Sequence, residues 1–308
     1  MRHNMRGIFV IPDAPEFLEK DIEPERELID LNSLNVTDML AARRERQASF
    51  DTSPFDPEGH HMRFYPGGFT IWSGFPGAGK TTLLRQFVCH LLRNHKQVFM
   101  ASLEEDPRDV FCRLATVAWG TEDLTAEMLQ WCVDCWHDKL RLWSYRRGIA
   151  EHARILAIVR VLARQGCRHA IVDSLARLDV NSTDWEGQRQ FGNALEATAA
   201  QSGSHIHLVA HPRKLISADQ EPDINDVAGS ADIGRLADNV LFVRRRIDEV
   251  PNGEFSKMRV SIRKQRYHNG SCSTIDGYFN SRLHQWKPHL HDIELTRYLP
   301  ACAYEEVA

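Results

Sequence analysis

Short apolar runs alternate with longer amphipathic segments through most of the chain from Phe69 onward. Five of these runs have the length of β-strands and lie at residues 69–73, 98–103, 140–144, 169–173 and 205–210. The segments between and after them space their apolar residues as helices do. The first of these helical segments ends at about residue 93, and the others lie at residues 107–119, 125–138, 150–165 and 185–202. This alternation predicts an α/β fold whose mainly parallel sheet is covered by helices on both faces.

The pattern changes beyond residue 236. Three further apolar runs follow, at residues 240–243, 258–262 and 273–279. Their succession without long helical segments between them is typical of antiparallel strands. We therefore expect an antiparallel C-terminal extension of the parallel sheet.

The first sixty residues differ from this core. Residues 13–30 carry eight acidic side chains against Lys20 and Arg26, and prolines at 12, 15 and 24 accompany them, which is typical of an extended or weakly ordered arm. A helix is expected to follow, capped by Thr37 and ending near Arg46. This helix either packs as a simple arm or serves as a linker that docks on a neighbouring subunit.

The composition narrows the class of protein. With 308 residues, 43% of them hydrophobic, the chain is long enough for one large or two smaller packed domains. It contains neither an apolar run of membrane-spanning length nor an N-terminal export signal, so we expect a cytoplasmic protein.

The seven cysteines are scattered and odd in number, which favours reduced thiols. Cys132 and Cys135 form a C-x-x-C pair, but no second ligand pair accompanies it as a zinc site requires.

Charge is distributed unevenly along the chain. The net charge of −4 argues against a surface that binds polyanions everywhere. The C-terminal part nevertheless holds Arg244, Arg245 and Arg246 and the basic stretch 257–266. This asymmetry permits a basic internal surface on an acidic particle.

A complete phosphate-loop motif, G-x-x-x-x-G-K-[ST], lies between the first strand and the helix after it. Its residues are Gly74, Phe75, Pro76, Gly77, Ala78, Gly79, Lys80 and Thr81, with Thr82 next in the helix. The glycines let backbone N–H groups surround the phosphates, Lys80 brings a positive charge to them, and the Thr81 hydroxyl can bind Mg²⁺. The motif predicts a site for ATP, or another nucleoside triphosphate, with Mg²⁺, rather than a glycine-rich turn without a ligand.

Two of the predicted strands end in carboxylates. Asp173 closes the run His169–Asp173, and Glu104 follows the strand at 98–103. Since ligands of parallel α/β sheets bind at the carboxyl ends of the strands, both are expected near the phosphate loop. Either carboxylate alone would also be explained as a charge at the start of a helix.

The order of these elements resembles a known family. After the phosphate loop, Glu104 and Asp173, a strand ends at His211, a loop runs to Gly229 and Ser230, and the run Lys264-Gln265-Arg266 follows. This order, with the segments "LVAHPRK", "GSADIGRLADNV" and "KQRYHNG", resembles the helicase domain of ring-shaped replicative DNA helicases of the Twinkle and DnaB type. The resemblance covers about residues 60 to 285 and implies a RecA-like P-loop NTPase core.

The resemblance implies roles for the strand-end residues. Glu104 would orient and deprotonate the attacking water, while Lys80 contacts the phosphates. Thr81 and Asp173 would hold Mg²⁺. His211 would sense the γ-phosphate and couple it to the adjacent DNA loop.

Three further residues are assigned by the same resemblance. Arg266 would be an arginine finger that reaches the ATP of the next subunit, with Lys264 beside it, because a guanidinium fork stabilises charge on a transferring phosphoryl group. The alternative for this pair is a solvated strand face. Phe279 would stack on the nucleotide base, although an aromatic residue in a strand also serves to pack.

The segment 213–227 lies where this family has its DNA-channel loop. It is long and without regular pattern, as functional loops are. Arg213 and Lys214 can contact the phosphates of a single strand. The implied partners are single-stranded DNA, further copies of the chain in a ring, as a hexamer, and a separate primase or replisome protein.

These observations predict three regions, namely an N-terminal arm with a linker helix at 1–60, a RecA-like ATPase domain at 61–290 and a tail at 291–308. The predicted function is an ATP-dependent DNA helicase that translocates on single-stranded DNA in phage or mobile-element replication. One alternative is a RecA-like ATPase that acts as a helicase loader, recombination mediator or plasmid-maintenance ATPase without unwinding. A small-molecule kinase is disfavoured because no substrate lid or acceptor site is evident.

Overall fold

The structure is a computed structural model that describes residues 31, 34–143, 150–180, 184–212, 222–227, 231–246, 254–267 and 272–307. The chain divides into two compact units, Met1–Ala48 and Ser49–Ala308.

The first unit contains helix α1, Val36–Ala48. The predicted helix is confirmed, but its cap is not Thr37. The side chain of Asn35 accepts the backbone N–H groups of Thr37 and Asp38, because the helix begins two residues earlier than expected and Thr37 lies within its first turn. Three apolar side chains at helical spacing are exposed on α1, namely Val36, Met39 and Leu40.

The second unit is built on one nine-stranded sheet in the described residues. Its strands are β1 Phe69–Ser73, β2 Gln97–Ser102, β3 Leu140–Leu142, β4 Cys167–Asp173, β5 His205–Ala210, β6 Asn239–Arg246, β7 Phe255–Gln265, β8 Ser273–Asn280 and β9 Gln285–Lys287. They lie in the order β3-β2-β4-β5-β1-β6-β7-β8-β9. Pairing is parallel from β3 to β6 and antiparallel from β6 to β9. The predicted parallel sheet with an antiparallel extension is confirmed.

Helices cover both faces of this sheet. They are α2 Lys80–Arg93, α3 Pro107–Trp119, α4 Ala126–Trp136, α5 His152–Arg164, α6 Trp185–Ser202, α7 Ala231–Leu236 and α8 Ala301–Glu306. One apolar layer lies between the sheet and α2, α3 and α4, and the other lies on the α5, α6 and α7 face. None of the helices that the structure describes has the length and apolar character needed to cross a membrane.

The last residues of the chain pack against the first layer. Tyr298, Leu299 and Ala303 are buried there, and the Tyr304 hydroxyl donates to the carbonyl of Ala118 in α3 at 2.7 Å. Strand β9 and helix α8 were not expected from the sequence, because each is too short to show a period.

A chain of polar side chains crosses the central strands inside the protein. Trp72 Nε1 can only donate, so Nδ1 of His207, 3.2 Å away, accepts and the proton of the neutral ring lies on Nε2. That proton faces Nδ1 of His169 at 3.0 Å, and His169 in turn donates from Nε2 to Asp51 at 3.0 Å. Lys96 pairs with the same carboxylate at 2.6 Å. The chain joins β1, β5 and β4, the strands that lead to the phosphate loop, His211 and Asp173.

Candidate active site

The phosphate loop takes a backbone path that requires glycine at two points. Gly74 has φ 146°, and a Cβ there would lie 2.3 Å from the carbonyl oxygen of Val243 in β6. Gly79 has φ 87° in the left-handed region and caps α2, which begins at Lys80. The first N–H groups of α2 therefore end the loop as donors without helical acceptors, and the helix dipole adds to their attraction for anions.

Lys80 and Thr81 lie at the bottom of this loop. Lys80 Nζ donates to the carbonyls of Gly74 and Phe75 at 2.7 and 2.9 Å. Burial lowers the pKa of Lys80, while the charges of Asp173 and Glu104 oppose the change. Thr81 Oγ1 donates to Asp173 Oδ2 at 2.8 Å, so strand β4 delivers its terminal carboxylate to the loop as expected.

The two carboxylates that follow β2 and β4 lie near one another. Burial, together with the charge of Glu104, raises the pKa of Asp173, and the hydrogen bond from Thr81 opposes this shift. The Ser174 hydroxyl donates to Glu104 Oε1 at 3.0 Å, and Arg177 Nε lies 3.8 Å from the same oxygen. The segment after β4 thus fixes the Glu104 carboxylate at the site.

His211 and Arg245 complete the walls. His211 follows β5, and its Nδ1 is buried without a hydrogen-bond partner among the described residues. Burial, and next the charge of Lys80, lower the pKa of His211 and favour its neutral form. Arg245 was not expected from the sequence, where it is the middle member of an arginine run. Alternation along β6 turns it to the cleft, and Arg244 and Arg246 to the other face.

Together these groups surround a cleft of about 400 Å³ at the carboxyl edge of the parallel strands. It is lined by Pro76, Gly77, Gly79, Lys80, Thr81, Thr82, Glu104, Asp173, Ser174, Val209, His211 and Arg245. Loop backbone, one lysine, a hydroxyl and two carboxylates therefore converge on one space that can receive a phosphate chain.

Arg266 lies at the opposite edge of the sheet. Gln265 is in register with Asn239, which pairs with Thr70 at the start of β1, whereas the phosphate loop follows the end of β1. Strand β1 alone spans roughly 13 Å, so Arg266 does not reach the phosphate loop of its own chain. Its Nη1 lies 3.1 Å from Asp238 Oδ1.

Lys264 was also expected at the site, but its side chain binds backbone groups of its own chain. Its Nζ donates to the carbonyls of Gly234 and Arg235 in α7. Burial lowers the pKa of Lys264, and the charge of Arg266 acts in the same direction. The geometry favours a role in holding α7 rather than contact with a phosphate.

The remaining residues that the sequence analysis singled out do not line the cleft in the part of the chain that the structure describes. Phe279 is 6% exposed within the first apolar layer, and the Arg245 guanidinium lies 5.0 Å from its ring centroid, which favours the packing alternative. Arg213 and Lys214 fall outside the described residues. Cys132 is buried in the same apolar layer, and Cys135 lies partly buried beside it.

A comparison of the sequence with known families and proteins identifies its relatives. The model of the AAA domain family matches residues 42–216, more than half of the chain. The Twinkle homolog protein, chloroplastic/mitochondrial, of Arabidopsis thaliana is 24% identical over 230 residues. That alignment covers 65% of this chain and 31% of the relative, so the chain spans about a third of the relative's length.

Solved structures share the fold. One solved ATPase domain superposes with a TM-score of 0.68 at 18% identity, covering 82% of this chain and 98% of that one. A DnaB-like replicative helicase, solved in a study of its interactions with primase, gives 0.64 at 17% identity, covering 82% and 67%. The resemblance drawn from the ordered motifs is confirmed. The chain belongs to the AAA domain family and has the fold of DnaB-like helicase ATPase domains.

Proposed function

We propose that this chain hydrolyses ATP in sites shared between neighbouring copies and uses that hydrolysis to translocate on single-stranded DNA, as a DNA helicase assembled into a hexameric ring. The observation that carries the proposal is the division of the catalytic groups. The phosphate loop, Glu104, Asp173 and His211 share one cleft at the carboxyl edge of the sheet, and Arg266 lies at the amino edge.

The cleft supplies the groups that phosphoryl transfer to water needs. Loop N–H groups and Lys80 bind the phosphates, and Glu104, held by Ser174, orients a water for in-line attack and accepts its proton. His211 lines the same cleft as a neutral donor or acceptor. Because this reaction is mostly positioning and charge stabilisation, these fixed groups account for most of what one subunit contributes.

The donor set fits Mg²⁺. A hydroxyl and a carboxylate oxygen, from Thr81 and Asp173, lie 2.8 Å apart, and oxygen ligands of this kind suit a small hard cation. When bound, Mg²⁺ supplies positive charge to the phosphate oxygens. Asp173 remains ionised in that state because the cation offsets the effect of burial on its pKa.

Among the described residues, the cleft of one chain holds two cationic side chains, Lys80 and Arg245, and a guanidinium from a neighbouring copy would add to them for the charge that develops in the transition state. Arg266 carries a fork that suits phosphate oxygens, and 40% of its side chain is exposed at the amino edge. A head-to-tail contact between copies would bring this edge of one subunit to the cleft of the next, and such contacts close into rings when the rotation allows. The exposed apolar stripe of α1 supports a contact between copies.

The carboxyl edge also carries basic groups suited to nucleic acid. Arg244, Arg246, Lys257 and Arg259 line a small cleft on the β6–β7 pair. Arg259 is held by Asp276 through hydrogen bonds of 2.6 and 2.8 Å. With Arg213 and Lys214 after β5, they can attract the phosphates of a single strand, and repetition around a ring multiplies each weak contact.

ATP hydrolysis measured with and without single-stranded DNA, across a protein titration with light-scattering mass at each concentration, tests this proposal. We expect turnover per chain to rise as the ring assembles and to rise again with DNA. Lys80→Ala is the inactive control. Turnover by a monomer that does not respond to DNA would reject the motor and leave a partner-dependent ATPase.

A further inference from the structure

Asp238 lies at the amino edge of the sheet, between α7 and β6, and is 4% exposed. Its backbone N–H donates to the carbonyl of Phe69 at 2.7 Å, and its Oδ2 accepts the N–H of Phe69 at 2.9 Å. The carboxylate is therefore fixed to the first residue of β1. Tyr65 donates a further hydrogen bond to it, and burial together with this carboxylate raises the pKa of the Tyr65 hydroxyl.

The same residue holds Arg266 in two ways. Asp238 Oδ1 lies 3.1 Å from Arg266 Nη1, and the Asp238 carbonyl accepts the Arg266 N–H at 2.9 Å. Glu196, on α6, lies 3.6 Å from the same Nη1. One edge of the guanidinium thus faces two carboxylates. Although burial acts in the opposite direction, the charge of Asp238 raises the pKa of Arg266.

We propose that Asp238 is a positioning residue for Arg266, so that a subunit presents its guanidinium to the neighbouring nucleotide in one fixed pose. The inference rests on the proposed function, in which Arg266 acts in trans.

An arginine side chain has many rotamers, and ordering it only during the reaction costs rate. The carboxylate of Asp238, which is itself hydrogen-bonded to β1, restricts the rotamers of Arg266 before the reaction begins. Because the side chain of Asp238 is 6% exposed and that of Arg266 40%, the anchor is buried while the finger remains accessible.

A structural role is the competing explanation, because Asp238 also binds the start of β1, which leads to the phosphate loop. The two explanations differ in which nucleotide site loses activity when Asp238 is replaced. If Asp238 positions Arg266, the site on the neighbouring subunit loses activity. If Asp238 acts through β1, the subunit's own site loses activity.

The test begins with Asp238→Asn alone. We expect kcat for ATP to fall roughly ten- to hundredfold, with KM and ATP affinity within about twofold of wild type, since misplacing a catalytic group by about 1 Å has an effect of this size. Glu196→Gln makes the same chemical change beside the same nitrogen, on a side chain that is 39% exposed, and it is the matched control. We expect it to change kcat by less than about threefold.

Mixed assemblies then locate the defect. Asp238→Asn subunits keep an intact phosphate loop, and Lys80→Ala subunits keep an intact Arg266 with its anchor. We expect a 1:1 mixture to exceed the summed rates of its parts, because about a quarter of random interfaces join two intact halves. The mixture of Arg266→Ala with Lys80→Ala is the reference for sharing between subunits.

The outcomes separate the claims. If the reference mixture recovers activity and the Asp238→Asn mixture does not, the positioning role is wrong and the shared site stands. If the reference mixture also fails, the shared site itself is rejected. In the mixture with Lys80→Ala, adding Asp238→Asn to the Arg266→Ala subunits should not lower the recovered rate, because those subunits contribute only their phosphate loop, and a lower rate would overturn the inference.

A second variant keeps the test informative if the Asp238→Asn protein does not fold. Asp238→Glu keeps the charge and shifts it by one methylene, and we expect an intermediate kcat with unchanged ATP affinity. A wild-type kcat in either folded variant contradicts the positioning role.

Discussion

Acidification should destabilise this protein through histidines that the fold keeps neutral. Burial, and next the charge of His169, lower the pKa of His205 to about 3. The unfolded chain titrates near the ordinary value of about 6.5, so it binds the proton first and stability falls as the pH falls from there toward 3. At pH 5 the loss from His205 alone is about 2 kcal/mol relative to pH 8.

Two further residues act in the same direction. Burial lowers the pKa of His169 and of His207, and each joins the polar chain that ends at Asp51. Although burial opposes it, His169 together with Lys96 lowers the pKa of Asp51 to about 2, so that carboxylate adds nothing between pH 8 and 5. With a total stability of about 5–15 kcal/mol typical of domains, the histidines remove a large share of it by pH 5.

Urea unfolding followed by far-UV circular dichroism at pH 8, 7, 6 and 5 measures this effect. We expect similar midpoints at pH 8 and 7 and a steep fall below pH 6.5. His205→Gln should reduce the loss between pH 8 and 5 by about 2 kcal/mol. His289→Gln, at an exposed histidine, is the matched control and should leave the loss unchanged. Equal stability from pH 8 to 5 would refute the neutral, buried state of these histidines.

Three variants test other parts of the account. Gly74→Ala places a Cβ against the carbonyl oxygen of Val243, so thermal unfolding should shift down by several degrees and nucleotide affinity should fall. Glu104→Gln should retain bound ATP while hydrolysis stops, as filter binding and phosphate release would show together. Replacing Arg213 and Lys214 by Ala should reduce the slope of log affinity for single-stranded DNA against log salt by about 1.4, and an unchanged slope removes them from the interface.

Local pattern was sufficient for the parallel part of the fold. Buried strands such as Phe69–Ser73 are continuous apolar runs, and the helices between them are long enough to show their period. Strands β6 and β7 proved longer than expected, because partly buried basic residues flank the apolar runs and obscure their continuation, namely Arg244 and Arg246 in β6 and Lys257 and Arg263 in β7. The order of the strands depends on contacts between distant segments and was not available from local pattern.

The candidate site, too, could be predicted from local sequence pattern only in part. The phosphate loop and the strand-end carboxylates were predictable, because spacing fixes where they lie relative to the sheet edge. Arg245 was missed because only the observed register of β6 shows which member of the arginine run faces the cleft. The anchor Asp238 was missed because its carboxylate meets Arg266 through the pairing of β6 with β7, between residues distant in sequence.

The central claim is that each nucleotide site takes Glu104 from one copy and Arg266 from the next. ATP turnover by 1:1 mixtures of Glu104→Gln and Arg266→Ala subunits tests it most directly. The account expects both variants to be inactive alone and the mixture to regain activity, up to about a quarter of the wild-type rate if assembly is random. Full turnover by Arg266→Ala alone, with no gain in any mixture, would contradict the account.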